Sequence, residues 1–479
     1  MNPQIRQVYG VFILLFALLV GFTSYWAVVD AKGLQDNPDN RRALIKEQTI
    51  PRGLIFARDG RTRIAVNRAE RRGDARVYVR EYPTKGLFAH PIGYSFLRNG
   101  RRGLEASRND FLAGKENEFE SIFAGLEGRP REGNDIVTNL DVAGTDAAVT
   151  GLAGRKGGVV AIEPQTGKVR VMVSIPEYDP NLIPTDFKAL DTDPNKPTFN
   201  RSTQELYPPG STFKVVTATA GLDTGKVTPD TIIDGSSPKT ISGVPLANSG
   251  GESFGPIPLT DALTHSVNTV FAQLGERVGA STLVDYMKRY GFYADPQLDY
   301  PDNQMIASGV RRNGTQYVQD GFDAGRVAIG QGGSEGAIEV TPLQMAEVAA
   351  AIANKGRLMK PRLTDRILSK DGRVKERIEP DLQSEVMKPE TAAELTDMMG
   401  RVVEEGTGTA AALSGVRVAG KTGTAEVGAN REFTQPWFIC FAPVENPRIA
   451  VAVTVERTTG QGGTVAAPIA RQVLESLLN

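Results

Sequence analysis

An apolar run from Val8 to Val29, about 22 residues broken only by small or hydroxyl side chains such as Gly21, Thr23 and Ser24, limits this chain more than any other feature. A helix of that length crosses a hydrocarbon layer of roughly 30 Å. Arg6 precedes the run, and Tyr25 and Trp26 stand near its far end, where interfacial side chains belong. No small-x-small cleavage site follows a short apolar core, so the run reads as an uncleaved signal anchor that crosses a membrane once. Lys32, Arg41 and Arg42 lie beyond it. The short tail before the span nevertheless favours an inside N-terminus, with the rest of the chain extracytoplasmic.

The 55 Lys and Arg nearly cancel the 56 Asp and Glu, and the net charge of -1 offers no broad attraction to nucleic acid. Cys440 is the single cysteine, and His90 and His265 are the only histidines. Intrachain disulfides are therefore excluded, and no zinc site or other metal or cofactor site is expected. A serine nucleophile activated by histidine would have to use one of those two residues. Another base is the better expectation.

From Ala31 to about Arg155 the chain is rich in charge and turns, with short strand-like runs at Ile64 to Val66 and Arg76 to Val79. Acidic residues alternate with the arginines between Arg58 and Arg80, and aromatics are sparse, so this stretch is expected to be a solvated face. At Gly157 the texture changes. Gly158 to Glu163 and Lys168 to Ile175 read as two strands joined by a turn. The chain divides accordingly into a tail and anchor (1–30), an extended, partly β pedestal (31–155) and a second domain (156–479).

Pro208, Pro209 and Gly210 stop any preceding element, and a helix is predicted to begin near Ser211. Ser211 and Lys214 then share a face. Burial of that face lowers the lysine pKa and makes the amine a base for the serine. The same spacing recurs at Ser236 and Lys239, in a Gly-Ser-Ser-Pro loop that reads as coincidence. Ser266 and Asn268 follow an amphipathic run containing Leu259, Leu263, Val267 and Val270, which places them at a helix end or in a short interhelical loop. A second Ser-x-Asn, at Ser107 and Asn109, shows that this pattern alone is cheap. The run Val416 to Glu426 alternates as a strand should, with Lys421 and Gly423 on one face and Thr422 and Thr424 on the other.

Ser-x-x-Lys, Ser-x-Asn and Lys-Thr-Gly in this order are the motif set of penicillin-binding proteins and serine β-lactamases. The chain resembles a class B penicillin-binding protein, closest to actinobacterial members. Pro51 to Ile55 with Arg58, Asp59 and Gly60 is similar to the family's first motif after the anchor, although Ala57 stands where that motif usually carries Asp. Gly103-Leu104-Glu105, Tyr178 to Asn181, Gly330-Gln331-Gly332, Thr341 to Gln344 and Glu405 to Gly408 extend the resemblance over nearly the whole chain.

The resemblance implies an α+β catalytic domain in which a five-stranded antiparallel sheet packs with helices beside an all-helical subdomain. It also implies peptidoglycan D,D-transpeptidation in cell-wall synthesis and cell division, inhibited by β-lactams. Ser211 is then the acylated nucleophile, Lys214 its base, Ser266 a proton relay, and Asn268 the group that holds the lysine and the substrate amide. Lys421, Thr422, Gly423 and Thr424 form the strand that docks the carboxylate of a D-alanyl-D-alanine stem peptide. The backbone N–H groups of Ser211 and Thr424 make the oxyanion hole. A SEDS-type glycan polymerase is the implied membrane partner. Two alternatives stay open, a carboxypeptidase or β-lactamase acting through the same acyl-enzyme, and a β-lactam-sensing or scaffold protein. A class A β-lactamase needs a placed glutamate, and no segment supplies one in recognisable form. Cys440 is small enough for the core, and His265 is expected to be structural because neighbours on a helix point about 100° apart.

Overall fold

The structure is a computed structural model that describes residues 3–26, 48–73, 75–115, 132–428, 430 and 432–479. Pro3–Ser24 form one helix of 22 residues with none buried, long and apolar enough to cross a membrane. The last residues of the expected span, 27–29, and the flanking Lys32, Arg41 and Arg42 lie outside the described residues.

The pedestal is organised by a six-stranded sheet in the order 374–377, 364–368, 135–138, 55–56, 63–72, 75–81. Its hairpin Arg63–Arg72 and Ala75–Glu81 contains both strands expected there. Two strands, Thr364–Leu368 and Val374–Arg377, come from far along the chain and tie the pedestal to the second domain. The expectation of a solvated arginine face is corrected at Arg80, which is 5% exposed and hydrogen bonds through Nε to Glu105 Oε1 at 2.5 Å. Arg52 Nε reaches the other oxygen of Glu105 at 2.7 Å. Burial alone would raise the Glu105 pKa, but the two guanidinium groups outweigh it and hold the carboxyl at about 2. Glu105 lies 25 residues beyond Arg80, so no local charge pattern announces the pair.

The second domain is built on a five-stranded antiparallel sheet in the order 419–427, 433–442, 449–455, 157–162, 169–175. Both faces are covered. Gly462–Leu478 and Val142–Leu152 pack on one, and Pro342–Ala353 on the other. Alternate strand residues therefore enter different cores: Val159, Val171, Val451 and Cys440 join one, and Val160, Met172, Ala452 and Ile439 the other. Two buried faces explain why these strands read as continuous apolar runs. The helix Val142–Leu152 precedes the expected boundary at residue 155 yet packs with this sheet. Beside the sheet lie the helices Lys214–Asp223, Leu259–Thr264, Asn268–Val278, Ala280–Arg289 and Pro389–Glu404. Short hairpins between residues 232 and 258 and a small four-stranded sheet between 309 and 339 decorate this helical part.

Candidate active site

Gly210 opens the turn that carries Ser211, with φ +53, a backbone conformation that disfavours side chains. A Cβ on Gly210 would lie 2.8 Å from the Thr424 carbonyl oxygen, and one on Gly330 only 1.8 Å from the Gly210 oxygen. Gly210 N–H donates to Gly330 O at 3.1 Å. Gly330-Gln331-Gly332 is thus a floor on which the turn rests. Trp437 Nε1 braces the turn through Pro208 O at 3.0 Å. The helix predicted to begin near Ser211 starts with a tighter 3₁₀ turn, Gly210–Phe213, and becomes α-helical at Lys214. Ser211 is half-buried, and its backbone N–H has no acceptor among the described residues. At the far end of this helix, Asp223 accepts from Tyr286 OH at 2.6 Å and from Thr391 Oγ1 at 2.8 Å, which fixes the helix axially.

Ser266 lies between the helices Leu259–Thr264 and Asn268–Val278, as expected, with φ +59. That left-handed conformation is uncommon for serine and turns its carbonyl and hydroxyl toward one point. The point is the Lys214 amine, which donates to Ser266 O at 2.5 Å and Asn268 Oδ1 at 2.8 Å and lies 3.2 Å from Ser266 Oγ. The Phe271 ring walls the amine, its centroid 5.6 Å away. Asn268 Nδ2 donates to Ala247 O at 3.1 Å, so a backbone carbonyl that no sequence signal marks orients the asparagine.

Lys421 reaches the same hydroxyl from the opposite side, donating to Ser266 Oγ at 2.9 Å and to Thr422 O at 3.0 Å. Both lysines are fully buried, and no carboxylate acts on either amine. Burial first, and then the positive charge of Lys421, push the Lys214 pKa far below its ordinary value. Burial lowers Lys421 to about 7. Burial and the neighbouring cation thus both favour the neutral, basic form of Lys214. Two N–H groups of a neutral amine meet Ser266 O and Asn268 Oδ1, and its lone pair is left for a hydroxyl proton. Among the described residues Ser211 Oγ makes no hydrogen bond to Lys214, a contact that apo sites often form only with substrate bound.

The strand Ala419–Val427 is the edge of its sheet. Thr424 pairs with Pro436, and its carbonyl faces Gly210, away from the neighbouring strand. In an antiparallel ladder a residue's N–H and C=O point the same way, so Thr424 N–H also points out from the sheet edge, toward the turn that Gly210 opens. Gly423 faces the turn as well, where a Cβ would meet Pro209 O at 2.7 Å. On the other face Thr422 Oγ1 lies 2.6 Å from Thr407 Oγ1, and Thr424 Oγ1 accepts from Gly462 N at 3.1 Å. The alternation read from sequence is the one observed, and all eight expected residues converge on one cleft. Thr407 was legible only as part of the Glu405–Gly408 run, without a role.

The two decoys stay apart from this cleft. Lys239 pairs with Asp234 at 2.6 Å on the surface, and Asn109 accepts from Arg52 Nη1 at 2.8 Å in the pedestal. His265 stacks on Phe254 with ring centroids 5.7 Å apart, and Cys440 is fully buried in the sheet core.

The family description "Penicillin binding protein transpeptidase domain" matches residues 157–475, and "Penicillin binding protein A dimerisation domain" matches 52–136. The chain is 35% identical to the peptidoglycan D,D-transpeptidase PbpA of Mycolicibacterium smegmatis over 100% of its own length and 99% of the relative's. The same identity and coverage relate it to PbpA of Mycobacterium tuberculosis. Among solved structures, the ceftriaxone acyl-enzyme complex of penicillin-binding protein A from M. tuberculosis superposes with TM-score 0.81 at 32% identity, over 91% of this chain and 100% of that one. The penicillin G acyl-enzyme complex of that protein gives 0.79 at 32% identity, over 90% and 100%. With its lysine-paired serine site and both family domains in place, this chain belongs to the class B penicillin-binding proteins.

Proposed function

We propose that the protein is a peptidoglycan D,D-transpeptidase that cross-links stem peptides through an acyl-enzyme on Ser211 and is acylated there by β-lactams. The observation that carries this reading is the Ser266 hydroxyl, 3.2 Å from the buried amine of Lys214 and 2.9 Å from that of Lys421. Lys214 takes the Ser211 proton as Oγ attacks the penultimate D-alanine carbonyl. The N–H groups of Ser211 and Thr424 receive the oxyanion. As the tetrahedral adduct collapses, the C–N bond breaks and Ser266 passes a proton, replenished by Lys214, to the departing D-alanine amine. An acceptor amine then attacks the ester, its proton returns along the same path, and Ser211 is restored. Lys421 and the Thr422 and Thr424 hydroxyls hold the terminal carboxylate of the donor, while Asn268 positions Lys214 and the peptide amide. The matched transpeptidase family, the two PbpA relatives and the buried lysine pair support this reading.

The pedestal lifts the catalytic domain from a membrane that the helix Pro3–Ser24 crosses, with the active site extracytoplasmic, where peptidoglycan is assembled. A SEDS-type glycan polymerase in the same membrane is the partner this arrangement suits.

Benzylpenicillin is expected to add one covalent ligand mass to the ectodomain, mapped by peptide analysis to Ser211 and absent in Ser211→Ala. A label on Ser236, or one that survives Ser211→Ala, would overturn the assignment.

A further inference from the structure

The loop Glu405–Gly408 touches each wall of the cleft. Thr407 Oγ1 lies 2.6 Å from Thr422 Oγ1, and Thr407 N–H donates to Thr264 O at 3.4 Å, two residues before Ser266. The approach is close on both sides. A Cβ on Gly406 would lie 2.5 Å from Thr264 O, and one on Gly463, in the first turn of the C-terminal helix, 2.4 Å from Thr407 O. Thr422 itself is buried, and the other group near its hydroxyl is Lys421 Nζ, at 3.4 Å. A hydroxyl has one proton, and its partner decides where that proton points.

We infer that Thr407 is a positioning residue for carboxylate recognition, setting the Thr422 hydroxyl against the terminal carboxylate of the acyl donor. Protonated Lys421 donates only, so in the form that docks a carboxylate it cannot take the Thr422 proton. Thr407 can accept that proton or donate its own, and in the second case the Thr422 proton is freed for the carboxylate. The backbone link to Thr264 O keeps the loop in step with the Ser266 turn. Thr407 is exposed, whereas its partner Thr422 is buried.

This inference rests on the reading that Thr422 docks the carboxylate, and the test separates the two. Second-order acylation rate constants are measured for Thr407→Val, Thr407→Ser and Thr422→Val with benzylpenicillin and with its methyl ester, which lacks the carboxylate. Thr407→Val is expected to lose roughly tenfold with penicillin, the size of one hydrogen bond, and under about twofold with the ester. Thr407→Ser restores the penicillin rate. In Thr422→Val background, Thr407→Val adds nothing further. A wild-type penicillin rate in Thr407→Val, or equal losses with acid and ester, overturns the role of Thr407 while Thr422→Val still discriminates between them. If Thr422→Val itself treats acid and ester alike, the docking reading falls first and takes the inference with it.

Discussion

Lys214→Arg is expected to lower penicillin acylation by roughly 10³-fold or more at every pH near neutrality, because a guanidinium cannot accept the Ser211 proton. Lys421→Arg should retain measurable acylation, since it keeps the cation that faces a carboxylate. The two lysines share a hydroxyl at 3.2 and 2.9 Å, so equal losses would mean that their tasks are not divided as proposed. The pH profile sharpens the contrast. Lys214 works deprotonated, and its lowered pKa favours that form, so its protonation sets the acid limb. Lys421 works protonated, and with a pKa of about 7 it loses its charge as pH rises through that value. Acylation by wild-type enzyme therefore declines above about pH 7, and Lys421→Arg, charged throughout, removes the alkaline decline. A decline that persists unchanged in Lys421→Arg would assign that limb elsewhere.

Ser266→Ala removes the atom on which both amines converge. General acid–base steps contribute roughly 10²- to 10⁴-fold, and a loss of about 10²-fold or more is expected for a peptide donor, whose leaving amine needs a proton. A thioester donor expels a thiolate that needs none. Its acylation should suffer at least tenfold less, by roughly the share of the effect that belongs to leaving-group protonation. Equal losses with the two donors would make Ser266 a structural member of the Lys214 pocket.

The residues of the candidate site were legible in sequence for a plain reason. Three residues on a helix, two across an interhelical turn, and alternation on a strand each fix which side chains share a face. What sequence could not supply is the approach of those three segments, which depends on contacts across 52 to 155 residues. The Arg52, Arg80 and Glu105 cluster was hidden for the same reason, and local charge alternation pointed the wrong way for Arg80. Ala247 was beyond reach because its carbonyl, not its side chain, orients Asn268. Neither could the hairpin Thr364–Leu368 and Val374–Arg377 be assigned to the pedestal sheet, since it joins that sheet through the pairing of Thr364–Leu368 with Asp135–Thr138, more than two hundred residues away.

Transfer rather than hydrolysis is the claim on which the account turns, and partitioning of the Ser211 acyl-enzyme tests it most directly. The ectodomain is mixed with a thioester donor and a D-amino acid, and amine-captured and hydrolysed products are measured together, with intact mass following the penicilloyl adduct in parallel. The account predicts that the amine captures most of the acyl group and that the penicilloyl adduct persists for many minutes. Rapid release of penicilloate with no amine-captured product would contradict it and make the protein a hydrolase.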